Sequence, residues 1–412
     1  MEVRPSDRMS DISYDIRGPL LNAALALERV GEKVIKLNIG DPAAFGVSAS
    51  HEVVEAAREG VVASTGYGDA QGSIEARDAV AADYRRKGLS GIDPSRVFIG
   101  NGVSELVPMA LEALLNPGDE VLIPTPGYPL WAAATTLASG RPVCYTCDER
   151  ADWQPDLADL EARISSRTRA IVVINPNNPT GAVWPAEALE RIAALAATHG
   201  LMIMADEIYD EIVYDGLTHV PCATRAPDVV CLTFGGLSKR FRLPGFRIGW
   251  MAVSGPASAA ASYLDALAVL AALRLCPNVV VQHAVPAALD GDQTIQALTA
   301  PGGRLALQRD VCWKLLISTP GITCVKPQGA FYAFPRLDPA VHGTGDDEQF
   351  ALEFLKQEKV LVVPGTGMGW PNPDHLRMVT LAPARELKEA ITRLARLLDW
   401  RISRAAASVG RG

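Results

Sequence analysis

Between about residues 92 and 252 the chain alternates short apolar runs with helical patterns, and no other feature restricts its fold so strongly. "RVFIG" is followed by "VSELVPMALEALL", "DEVLIP" by "YPLWAAATTLA", "AIVVIN" by "PAEALERIAALAATHG" and "LMIMA" by "DEIYDEIV". "VVCLTF" and "RIGWMAV" close the series. Short unbroken apolar runs are what strands covered on both faces look like. Helices between such strands supply the crossovers that parallel neighbours need. The expectation is an α/β fold, with a large domain whose mostly parallel sheet is flanked by helices.

Beyond about Ser258 the pattern changes. A helical stretch runs to about Ser318, interrupted at Pro277 and around "APGG". Then come "ITCV", "AFYAF", a helix around "EQFALEFLKQEK", "VLVVPG", "LRMVTL" and a last helix, "RELKEAITRLARLLDW". This order predicts a smaller α+β domain. The first forty or so residues are too few for a core of their own and are expected to pack beside that unit. The expected division is residues 1–50 as arm and part of the small domain, 51–305 as large domain and 306–412 as C-terminal small domain. The tail "RISRAAASVGRG" is expected to fray.

Composition excludes some functions. A net charge of −8 and a pI near 5.4 argue against a general nucleic-acid binder, while leaving room for a local basic pocket. No apolar run reaches the roughly 18–20 residues of a membrane helix, and "MEVRPSDRMSDISYD" does not read as a signal peptide. Seven scattered cysteines fit a reduced, cytoplasmic protein better than a disulfide framework. Cys144 and Cys147 form a CxxC, but in "RPVCYTCDE" they read as part of a short strand. No second pair accompanies them, so no metal is expected.

A parallel sheet binds ligands outside the carboxyl ends of its strands. After "RVFI" comes "GNGVSEL", where Gly102, Val103 and Ser104 open a helix whose first amides suit a phosphate. Read alone, Ser104 could merely cap that helix. After "LIPTPG" stand Tyr128 and Trp131, able to stack on a planar ligand or to fill core. After "AIVVI" comes the turn-forming "NPNNPTG", rigid enough to aim one amide, Asn178. After "LMIMA" stands Asp206, a helix cap or a carboxylate for a protonated ring nitrogen, with the phenol of Tyr209 three residues on. After "VVCLTF" stands "GGLSKRFRLPGFRIGW", with Ser238, Lys239 and Arg247. Desolvation favours the neutral, nucleophilic form of an amine, so a lysine at a buried strand's end is a candidate Schiff-base former. A phosphate, a pyridine nitrogen, a phenolic oxygen and an aldehyde belong to one cofactor, pyridoxal 5′-phosphate.

"NPNNPTG", "DEIYD" and "GLSKRFRLPGFRIGW" resemble the class I/II aminotransferases of fold type I. "YDIRGPLL", "KLNIGDPAAFG", "GYGDAQG", "LRLCPNVVVQHA", "PGGRLALQR", "KPQGAFYAFP" and "WPNPDHLRMVTL" extend the likeness from Tyr14 to about Leu398, toward the bacterial glutamate–pyruvate (alanine) branch. The resemblance implies that Lys239 is the Schiff-base lysine and proton shuttle, with Asp206 on the pyridinium nitrogen. It implies Asn178 and Tyr209 on the phenolic oxygen, Tyr128 stacked on the ring, and Val103, Ser104, Ser238 and Arg247 on the phosphate. Tyr67 would reach the phosphate from a partner subunit, which implies a homodimer with shared sites. Arg377 would clamp the substrate α-carboxylate, and Gly40 would approach the substrate with its backbone. For glutamate, Arg17 in "YDIRGP" is the candidate for the distal carboxylate, its alternative being a surface arginine.

The implied activity is a ping-pong exchange of glutamate and pyruvate for 2-oxoglutarate and alanine. Alternatives are aromatic, branched or specialised amino acids, or a Cβ–S lyase. An effector domain of a transcription regulator would need a DNA-binding domain, and only about 18 residues precede the first helical pattern. The chain departs from the family at Gly236, where relatives carry a hydroxyl, at Pro244, and at Arg240-Phe241-Arg242, where the branch has Thr-Tyr-Arg. Arg240 and Arg242 are expected in solvent or at a dimer interface.

Overall fold

A computed structural model of the chain describes residues 3–12, 18–292, 294–343 and 345–409. After a short β1 (Ile35–Lys36), the chain forms β2 (Val97–Gly100), β3 (Glu120–Thr125), β4 (Arg141–Asp148) and β5 (Gln154–Pro155). It continues with β6 (Thr168–Ile174), β7 (Met202–Asp206), β8 (Cys231–Gly236) and β9 (Gly249–Ser254). The last eight strands form one sheet in the order β2-β9-β8-β7-β6-β3-β4-β5. Its centre, β8-β7-β6-β3-β4, is parallel throughout. Every residue of β2, β3, β8 and β9 is buried, as the unbroken apolar runs predict. Helices including Val103–Leu114 and Ala186–His199 supply the covering layers over two apolar cores. Pro124 is tolerated within β3 because pairing with β6 ends at Leu122, so no ladder bond is lost on that side.

Two sequence expectations need correction. "DEIYDEIV" does not continue as a helix: residues 208–211 form turns. Its carboxylates are consumed by tertiary partners instead. Glu207 accepts from the Cys222 amide, and Asp210 and Glu211 pair with Lys87 and Arg240. The series also does not close with a crossover. β9 runs antiparallel to β8, slotting between it and β2, with Gly236 opposite Gly249. The intervening twelve residues, 237–248, therefore stay at the carboxyl end of the sheet as an open hairpin connection. The spacing of Cys144 and Cys147 along β4 puts them on opposite faces.

Beyond the helix Arg304–Ile317 the chain forms β10 (Ile322–Thr323), β11 (Tyr332–Ala333), β12 (Arg336–Leu337), β13 (Val360–Leu361), β14 (Val363–Pro364) and β15 (Leu376–Val379). β15 is flanked antiparallel by β11 and β14, and β1 pairs parallel with β13, carrying the N-terminal arm to this unit. Ile35 and Leu37 join Phe350, Phe354 and Leu394 in its core. The last helix, Ala384–Val409, runs on through most of the tail that composition predicts to fray.

Arg240 and Arg242 are neither solvated nor surface residues: they are 4% and 2% exposed. The hairpin connection folds back beneath the strand ends, which turns both side chains inward. Arg240 meets Glu211 at 2.8 Å, and Asp83 and Asp210 at 3.7 Å. Arg242 pairs with Asp292 at 3.0 Å and donates to the carbonyls of Ser48 and Arg240. Removing one member of a buried ionic cluster leaves its partners desolvated and uncompensated, at about 3–5 kcal/mol. Arg240→Ala is accordingly expected to cost about that much stability, measured by denaturant unfolding.

Candidate active site

The strand ends converge on a cavity of about 600 Å³, within the range of cofactor sites. At its edge, Gly102 takes φ +87° and caps the helix Val103–Leu114. A Cβ there would come 2.4 Å from Nη2 of Arg247, so glycine lets that guanidinium lie against the helix start. Gly249 has the same function from below, since its Cβ would fall 2.6 Å from the Val103 nitrogen. Arg247 donates to the Pro244 carbonyl at 2.9 Å. With Ser104 and Ser238 lining the same cavity, free helix amides, a guanidinium and two hydroxyls converge. That donor set suits a phosphate.

Asp206 ends β7 and is 4% exposed. Its Oδ2 accepts from Trp131 Nε1 at 3.1 Å and its Oδ1 from the Ile208 amide at 3.4 Å. Burial pushes its pKa up, while those donors and the Lys239 charge pull it down. A buried carboxylate in this condition gains by facing a cationic N–H donor in the cavity. Lys239 lies three residues past β8, with Nζ donating to the Gly40 carbonyl at 2.6 Å and sitting 6.0 Å from the centroid of the Tyr209 ring. Tyr209 is buried, and its hydroxyl hydrogen-bonds that of Tyr332 at 2.7 Å.

The turn of residues 175–181 is held from within. Asn177 Oδ1 accepts from the Thr180 amide and hydroxyl at 3.1 and 2.9 Å. So fixed, Asn178 Oδ1 accepts from Arg377 Nη1 at 3.1 Å. Arg377 is 1% exposed; its Nη2 donates to the Asn38 carbonyl, and its guanidinium stacks over the Tyr332 ring at 4.6 Å. Among the described residues no carboxylate lies within 4 Å of it, and its Nε is buried without a hydrogen-bond partner. A buried cation lacking a counter-ion, on the wall of a cavity, is a receptor for an anion.

Over residues 32–394 the chain matches the family Aminotransferase class I and II. The chain belongs to the class I and II aminotransferases. It is similar to an alanine aminotransferase of Mycobacterium tuberculosis, 52% identical over 95% of this chain and 92% of the relative. It is also similar to the glutamate-pyruvate aminotransferase AlaA of Escherichia coli, 48% identical over 96% and 98% of the two chains. Among solved structures, an Escherichia coli aminotransferase superimposes with a TM-score of 0.95 at 48% identity over 97% of this chain and 99% of that one. A Thermus thermophilus aspartate aminotransferase variant does so with 0.85 at 30% over 96% and 100%. This aminotransferase has pyridoxal 5′-phosphate as its cofactor, and the cavity fits it: anion cradle, buried carboxylate and lysine amine stand at three places around one space.

Of the residues singled out in the sequence, Gly40, Val103, Ser104, Tyr128, Asn178, Asp206, Tyr209, Ser238, Lys239, Arg247 and Arg377 all line this cavity. Tyr67 does not; it is 84% exposed, outside the cavity. Arg17 lies outside the described residues. Two contacts are not legible from the sequence. Trp131 reads as an aromatic near a strand end, but its bond to Asp206 needs the helix Leu130–Leu137 to bring its indole to β7. Tyr332 lies in "KPQGAFYAFP", a stretch of family likeness, yet nothing local assigns it a role at the site.

Behind Asp206, Glu207 is 3% exposed, with Oε1 accepting from the Cys222 amide at 2.7 Å and Oε2 facing His219 Nε2 at 3.8 Å. Burial pushes Glu207 up to about 8 and His219 down to about 4. The unfolded Glu207 releases its proton near 4.5, whereas the folded one keeps it to about 8. Its contribution to stability is thus complete below the lower value and is lost as pH rises through the upper one. Glu207→Gln cannot ionise, so its stability relative to the wild type is expected to improve by several kcal/mol between about pH 5 and about pH 8. Urea unfolding of both proteins at the two pH values measures this.

Proposed function

We propose that the protein transfers an amino group from glutamate to pyruvate, giving 2-oxoglutarate and alanine, by a ping-pong cycle. The observation that carries this reading is the buried Arg377, without a counter-ion among the described residues, lining the same cavity as Lys239 and Asp206. Both amino acids and both oxo acids bear the α-carboxylate that this guanidinium lacks. The choice of glutamate and pyruvate rests on the relatives named alanine aminotransferase and glutamate-pyruvate aminotransferase, at 48–52% identity over nearly the whole chain.

When bound, the cofactor supplies an aldehyde for the amino group and a pyridinium ring that accepts the electron pair left at Cα. In this reading Lys239 Nζ is the amine that would hold the cofactor through its aldehyde. Its amine, when free, would be the base that takes and returns the proton at the substrate Cα. Asp206, aligned by Trp131, keeps the ring nitrogen protonated. Asn178 and Tyr209 would hold the phenolic oxygen, and Tyr128 would stack on the ring. The amides of Val103 and Ser104, with Ser238 and Arg247, hold the phosphate. Arg377 would grip the α-carboxylate as a fork and so fix the orientation of Cα, with the Gly40 backbone lining the same cavity. Tyr67, exposed on this chain, would complete the phosphate site of a second copy in a cytoplasmic homodimer. Arg17 would take the distal carboxylate of glutamate.

Lys239→Ala is expected to lose glutamate–pyruvate exchange, and wild-type exchange by that variant would overturn the mechanism. A panel of amino donors with oxo acids tests the substrates; absent glutamate–pyruvate exchange would overturn that pair. Sustained release of pyruvate and ammonia from an amino acid alone would indicate a lyase instead. Arg377→Lys keeps the charge and loses the fork. It is expected to lower kcat/KM about ten- to a hundredfold for both half-reactions alike, because both share the α-carboxylate.

A further inference from the structure

Tyr332 is the residue through which the separate parts of this site touch. It lies on β11 with its ring 3% exposed. Through the pairing of Tyr332 with Val379, it shares a face of the small sheet with Arg377, two residues along β15. Its ring lies beneath the Arg377 guanidinium at 4.6 Å, and its hydroxyl meets that of Tyr209 at 2.7 Å. The same hydroxyl packs so closely on Gly40 that a Cβ there would fall 2.4 Å from it. Gly40 is the residue whose carbonyl accepts from Lys239.

We propose that Tyr332 is a positioning residue with two separable actions: its hydroxyl directs the proton of Tyr209 toward the cofactor, and its ring supports Arg377. This rests on the reading in which Tyr209 donates to the phenolic oxygen of the cofactor. Each phenol has one proton. If Tyr209 gives its proton to the cofactor, the 2.7 Å contact can be filled only by Tyr332 donating to the Tyr209 oxygen. Accepting that bond makes Tyr209 a stronger donor, since chained hydrogen bonds polarise one another. A stronger donor at the phenolic oxygen stabilises its anionic form. It therefore lowers the pH at which the lysine-linked cofactor gives up the proton shared between its phenolic oxygen and imine nitrogen. The aromatic face acts independently of this, by attracting a cation that lacks a carboxylate partner among the described residues.

Two variants separate the actions. Tyr332→Phe removes the hydroxyl and keeps the ring. Its holoenzyme, titrated by visible absorbance without substrate, is expected to show a midpoint raised by about half to one pH unit, the size of one hydrogen bond's net effect. Its KM for amino acid should stay within about twofold of wild type, since the platform under Arg377 remains. Tyr332→Leu removes both, and its KM is expected to rise about five- to tenfold in addition to the shifted midpoint. An unshifted midpoint in Tyr332→Phe would overturn the first action, whether or not Tyr332→Leu folds. A KM for Tyr332→Leu no higher than that of Tyr332→Phe would overturn the second, because the ring would then be dispensable to Arg377. Borohydride reduction of the wild-type holoenzyme, followed by peptide mapping, keeps this test apart from the functional reading. A pyridoxyl group found elsewhere than on Lys239 would remove that reading itself.

Discussion

A guanidinium buried to 1% exposure with no carboxylate beside it among the described residues is costly, and the whole arrangement of this protein is needed to sustain it. Arg377 comes from β15 of the C-terminal unit, the carbonyl it uses belongs to Asn38 of the N-terminal arm, and the amide it uses belongs to Asn178 of the large sheet's β6–β7 connection. Its third support is the ring of Tyr332 on β11. None of these parts alone could hold the charge. The cluster around Arg377 exists only when arm, large sheet and small sheet are packed together, so the carboxylate recognition proposed for it would be tied to completion of the fold.

The second constraint is the connection between β8 and β9. It carries Ser238, Lys239 and Arg247 past the carboxyl edge of the sheet with only one short 3-10 turn, Pro244–Phe246, within it. Rigidity comes from Arg240 and Arg242, which reach away from the cavity into separate ionic and carbonyl contacts. Arg240 ties the segment to Glu211, five residues beyond Asp206, and to Asp83 on the helix Ile74–Arg86. The segments that carry the cavity-lining amine and carboxylate are thus anchored to one charge cluster. Precise catalytic geometry demands such external anchoring, because an amine on an untethered loop would spend little time in reach of its target.

The site was largely legible in the sequence because its residues are local to strand ends. Asn178, Asp206 and Lys239 each follow an apolar run that announces a buried strand, and the parallel order brings those ends together without further information. What could not be read was contact across distant segments. "DEIYDEIV" looks helical, and only the presence of Lys87 and Arg240 nearby explains why its carboxylates go elsewhere. Arg240 and Arg242 look like surface charges, since burial of a charge is legible only once its partner, here Glu211 or Asp292, is known to be adjacent.

Hydrophobic periodicity and the residues after each apolar run determined the α/β class, the parallel centre of the sheet and the identity of most cavity-lining groups. Periodicity is a property of neighbours in the chain, so the sequence suffices for it. The antiparallel return of β9, the indole of Trp131 beneath Asp206 and the meeting of Tyr332 with Tyr209, Gly40 and Arg377 were decided by tertiary structure alone. Those contacts join residues dozens to hundreds of positions apart. Their existence depends on which surfaces pack, and no local pattern encodes that.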